Sequence, residues 1–271
     1  MTNEERLRLI DIVETSRDHG AMESAAVDLA ASEDPAAVAR LGELLSKADT
    51  LARLDDLGNP IGKMSRLARV LGTLQQHPLP ASAELCLRLM REPAFLGEDD
   101  RKIYLLPALA AVRPMSEAAA NVFRDTNGGG YYNLNVVLLV YNGSPNALSL
   151  FEEMIRDNEI PEDQRVDALH AAVLPYRTEL AVLQSMDRLF DADIPDDVRR
   201  GVIETVFASE TGQWFGPQRF PPTPPEWETA TTEALEFALL LAGKITARGG
   251  LSQPPAETVS EIRKILAARN G

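Results

Sequence analysis

The sequence is poor in several residue types, and each shortage removes a class of protein. It has one cysteine, Cys86. A single thiol closes no internal disulfide, which excludes a disulfide-stapled secreted domain and suits a reducing compartment. It has three histidines, His19, His77 and His170. None lies three or four residues from another, and no His-Glu-x-x-His or Cys/His cluster occurs. A metal site of the usual kind therefore has no ligand set to draw on. The most apolar stretches, 134–141 and 234–242, fall far short of the roughly 20 residues a membrane span needs. Basic residues are outnumbered, 27 Lys and Arg against 41 Asp and Glu, for a net charge of −14. That balance weighs against nucleic acid and against anionic membrane surfaces as partners. Glu4 and Glu5 stand where a signal peptide carries basic residues, and no apolar segment follows them. The expected setting is the cytoplasm, and the Ala-, Leu- and Arg-rich composition points to a bacterial one.

What is present is a chain of 271 residues, 45% of them hydrophobic, enough for one or two domains with a sizeable core. Its apolar residues recur at helical spacing. Val38, Leu41, Leu44 and Leu45 form one stripe, opened by the cap-and-first-turn pair Asp34 and Pro35. Leu67, Val70, Leu71 and Leu74 form another, and Leu148, Phe151, Met154 and Ile155 a third. β-branched residues never alternate with polar ones over a useful length, so strands are not expected. Residues 135–141 have a strand-like composition, but their neighbours favour a buried helix. Pro- and Gly-containing breaks divide the chain into segments of roughly 12–18 residues, ordinary helix lengths.

The strongest signal is internal self-similarity. Segments 98–106, 161–169 and 195–203 each open with acidic residues, continue with a basic one, and then place apolar residues at helical spacing. Pro161 and Pro195 are 34 residues apart, and 131–141 stands as a degenerate copy between the first two segments. The preceding helices, 83–90, 117–123, 147–154 and 180–189, align at roughly 30–34 residues, the period of helical-hairpin repeats. One hairpin cannot bury its own apolar face, so neighbours must stack. Acidic residues in the first turn of the second helices are expected to cap free N–H groups and to complement the helix dipole.

The run Asp196, Asp197, Val198, Arg199, Arg200 resembles the HEAT-repeat family, in particular the short bacterial HEAT-like repeats of the phycobilisome-lyase type. It departs from their pattern in placing Val202 beside Gly201 where a small residue stands. The resemblance covers residues 34–210. It implies an all-α α-α superhelix, a solenoid of antiparallel helical hairpins, with a protein-binding or scaffolding role. The expected organisation is HEAT-like repeats with an N-terminal cap over 1–210. A Pro- and aromatic-rich connection with C-terminal capping helices follows over 211–271, the whole forming one continuous domain. The connection holds both tryptophans, Trp214 and Trp227. It reads either as a loop whose aromatics pack on the end of the stack or as a partner contact.

Patterns that carry chemistry are weak. Gly58, Gly62 and Lys63 imitate a P-loop, but three residues rather than four separate the glycines. Met64 stands where a hydroxyl should follow the lysine. No Gly-x-Ser-x-Gly elbow occurs. Adjacent carboxylates such as Glu152-Glu153 and Glu162-Asp163 point about 100° apart on a helix and are better explained as helix starts than as a general acid and base. His170 reads as a packing or surface residue, and Cys86 as a core residue. Gly128, Gly129 and Gly130 form either a tight turn or a loop presenting Tyr131 and Tyr132. Charge is uneven: residues 131–210 carry 15 acidic and 6 basic residues, whereas 61–130 carry 7 and 9.

No catalytic residue, metal ligand or cofactor is assigned. The favoured expectation is a module that binds a protein or peptide along a groove lined by the second helices. Tyr131, Tyr132, Arg165, Arg199 and Trp214 are its candidate contacts. Two alternatives stand beside it. One is an acidic inhibitor or immunity-type protein that blocks a basic partner, since negative charge steers cations. The other is a DNA-base enzyme or lyase on the same scaffold, supported only by the basic residues between Lys63 and Arg91. The oligomeric state is left open.

Overall fold

A computed structural model describes residues 1–55, 66–92, 99–126, 131–207, 226–249 and 253–270. Among the described residues the chain forms fifteen α-helices and two short 3-10 turns, and no strand. The helices are α1 (Asn3–Thr15), α2 (His19–Ala30), α3 (Pro35–Leu45), α4 (Ala48–Asp55) and α5 (Arg66–Gln76). Next come α6 (Pro80–Leu89), α7 (Asp99–Ala111), α8 (Glu117–Thr126), α9 (Tyr132–Asn142) and α10 (Pro145–Arg156). The last are α11 (Glu162–Val173), α12 (Leu180–Asp191), α13 (Asp196–Phe207), α14 (Thr232–Arg248) and α15 (Ala256–Asn270). The 3-10 turns are Leu174–Tyr176 and Trp227–Thr229.

Local chemistry starts and stops these helices. Thr2 and Glu5 make a reciprocal capping box at α1. Asp18 accepts from the N–H groups of Gly20 and Ala21 at α2. Asp34 accepts from Ala36 N–H at α3, with Pro35 following it, as its sequence predicts. Thr231 caps α14 through Ala234 N–H. Gly143 ends α9 at φ 65°, a conformation that glycine adopts without steric cost. The acidic pairs of the repeat work differently from the expectation. The α11 cap position is Pro161, without a side-chain cap hydrogen bond, and Glu162 and Asp163 sit one and two residues inside the first turn. They favour the helix through its dipole rather than by capping.

The chain divides into two compact units, Met1–Phe123 and Arg124–Gly271, at a point inside α8 that composition does not mark. In the first unit α1, α3 and α6 pack side by side as one row, and α2, α5 and α7 as a second. Their apolar stripes meet between the rows: Leu9 and Val13, Val38 and Leu41, and Leu85 and Cys86 from one side. Met22 and Leu29, Val70 and Leu74, and Leu105 and Leu109 come from the other, all buried. Cys86 is a core residue, and burial pushes its thiol up to about 12. Within the first row, α3 and α6 come especially close at Gly42: a Cβ there would meet the Arg88 guanidinium and lie 2.9 Å from Leu85 Cγ.

The second unit repeats the plan. Helices α9, α11 and α13 form one row and α10, α12 and α14 the other, with α15 paired to α14 and resting on the 227–229 turn. The repeated segments 131–141, 161–169 and 195–203 fall on α9, α11 and α13, so sequence register and packing row coincide. The all-α stacking of helical hairpins expected from the repeat is what each unit shows. Helix α14 extends the row of α10 and α12, so the chain beyond the 208–225 connection belongs to the same unit as the repeats before it.

Candidate functional site

Three of the five candidate contact residues, Tyr132, Arg165 and Arg199, are buried. Arg199, the fourth residue of α13, is 5% exposed. Its Nε donates to Phe190 O at 3.1 Å, its Nη2 to Ala192 O at 2.8 Å and its Nη1 to Asp196 Oδ1 at 2.6 Å. Arg165 holds the same position on α11 and is 2% exposed; its Nη1 donates to Ile155 O at 3.2 Å and to Asn158 Oδ1 at 3.4 Å. The last carbonyls of a helix have no intrahelical donor. Each arginine therefore reaches back to the end of the helix before its own and supplies one. Both guanidinium groups are buried and engaged within the fold.

Tyr132 opens α9 and is buried; burial is the main force holding its hydroxyl above the usual tyrosine range, with the Arg165 charge pulling the other way. Tyr131, at the cap position of α9, is half-buried and makes no side-chain cap hydrogen bond. Trp214 lies outside the described residues, as do Gly58 to Met64 and the glycines 128–130. The other tryptophan, Trp227, is fully buried beneath the Arg177 guanidinium, whose carbon sits 5.7 Å from the ring centroid.

The outward faces of the two rows differ in kind. Along α10, α12 and α14 the charges alternate and pair. Arg124 meets Glu153 at 3.1 Å. The neighbouring Glu152 is buried; its Oε1 accepts from Ser185 Oγ at 2.8 Å and from Arg188 Nε and Nη2 at 2.9 and 2.7 Å. Lys244 on α14 bridges Asp187 at 2.6 Å and Asp191 at 2.5 Å on α12. This ladder joins neighbouring helices, while Glu233 and Glu236 at the start of α14 are exposed and have no ion-pair partner among the described residues. The ladder's residues were missed in the sequence because Glu152 and Arg188 are 36 positions apart and Asp187 and Lys244 are 57. The repeat period is the one signal that links Glu152 to the α12 side chains one unit later.

Along α11 and α13 the pattern is different. Asp163 and Asp167, one turn apart on α11, are exposed, as are Asp197, Arg200 and Glu204 on α13. Arg200 pairs with Asp197 at 3.0 Å. Asp163, Asp167 and Glu204 have no ion-pair partner among the described residues. On α11, Val166 and His170 are half-buried. The two helices pack at Gly201, where a Cβ would sit 3.4 Å from the Val166 methyls, in van der Waals contact. This is an acidic helix face in van der Waals register with its neighbour.

In the first unit three of the basic residues between Lys63 and Arg91 have partners within the fold. Arg69 and Arg66 flank Glu23 at 2.7 and 3.5 Å, and Arg88 Nη2 donates to Ala39 O at 3.3 Å. Three of the basic residues that supported a nucleic-acid track are thus engaged in holding α2, α3, α5 and α6. Among the described residues no three His, Cys, Asp or Glu side chains converge on a point where a metal ion could sit, and no helix is long and apolar enough to cross a membrane. Comparison with family models, curated proteins and solved structures returns no match.

Proposed function

We propose that this protein is an interaction module of HEAT-like repeats, and that the α11–α13 face of its second unit receives a basic segment of a protein or peptide. One observation carries the reading. Asp163, Asp167 and Glu204 are exposed on adjacent packed helices without an ion-pair partner among the described residues, within the segment 131–210 where 15 acidic residues face 6 basic ones. Unmatched negative charge on a preformed surface steers cationic partners and selects among them. The acidic inhibitor is a form of the same reading in which the segment bound belongs to the partner's own active surface.

The test is a pull-down from cells that express the protein natively, with wild type and the triple charge reversal D163K/D167K/E204K compared at two ionic strengths. Wild type is expected to retain a basic partner at physiological salt and release it near about 1 M salt, where the Debye length falls to about 3 Å. The triple variant is expected to lose that partner. Equal capture by both proteins would remove this face from the account, and capture of a neutral or acidic partner insensitive to salt would remove the electrostatic argument.

A further inference from the structure

We draw no further inference here: the strongest candidate, the hollow of about 510 Å³ between the 227–229 turn and α15, is walled by the carboxylates of Glu228, Glu257 and Glu261 with Lys264 among them, and nothing in the structure shows what would cover it.

Discussion

At the scale of the residue, the arginines explain most. Arg165, Arg199, Arg53, Arg248 and Arg269 all donate to main-chain carbonyls at or beside the ends of other elements. A guanidinium suits this work because its planar fork serves two or three acceptors at once and never loses its charge. Arg199→Ala would take one of two donors from each of the Phe190 and Ala192 carbonyls, which keep Arg248 Nη1 and Ile194 N–H, and is expected to cost about 1–2 kcal/mol in urea unfolding. Arg200→Ala, one residue on but exposed and paired only to Asp197, is expected to change stability by less than about 0.5 kcal/mol. Similar losses for both variants would show that the carbonyl contacts contribute nothing special. The sequence places both arginines in an acidic, helix-opening run, and there they read as equivalent. What separates them is the 100° between successive side chains on a helix, which turns one toward the preceding helix end and the other toward water. That is why Arg199 was legible as a repeat residue but not as a buried one.

At the scale of the element, the repeat period was the most legible property. It assigned first and second helices, and the packing rows of the second unit follow that assignment helix by helix. Close approach was less legible, because a glycine inside a helical stripe looks like a weakness until the neighbour it admits is seen. Gly42 admits Leu85 and Arg88 of α6 onto α3. Gly42→Ala is expected to destabilise the protein by about 1–3 kcal/mol through overcrowding, despite the better helix propensity of alanine. A rise in thermal midpoint on that substitution would mean that α6 can shift without loss. The α12–α14 contact offers a second test. Burial disfavours the Lys244 ammonium, but its hydrogen bonds to Asp187 and Asp191 outweigh that and hold its pKa above the ordinary lysine value. A raised folded-state pKa contributes stability below the unfolded value, about 10.4, and loses it as pH rises through the folded value. Lys244→Met should therefore flatten the alkaline limb of a stability–pH curve and leave its shape near neutrality unchanged. An alkaline limb identical to wild type would argue that the bridge is not formed in solution.

At the scale of the molecule, a stack of helix pairs is held by contacts between nearest neighbours, so a local injury should stay local. Hydrogen exchange on the Arg199→Ala protein is expected to show lost protection in α12, α13 and α14, with α1 to α7 of the first unit unchanged. Uniform loss across both units would mean that the chain unfolds as a single cooperative body. The same scale sets the meaning of the net charge of −14. Part of the positive charge is turned inward, onto helix ends, and part of the negative charge is matched in the ladder of α10, α12 and α14. The potential that a partner meets therefore depends on the face it approaches, and composition alone could not show which face keeps its carboxylates free.

The arginine contacts also bear on how the chain comes to be folded. Arg165 and Arg199 reach acceptors only seven to ten residues earlier in the chain. Each such closure bridges a short loop, whose entropic cost is small and which forms on a fast timescale. The short separation allows the end of α10 to be closed by the first turn of α11, and the end of α12 by the first turn of α13, with no later part of the chain required. Contacts of this kind lower the contact order of the fold and favour rapid folding from the amino terminus onward. The contacts that bury these arginines thus give the growing chain a means of securing each helix before the next one is complete.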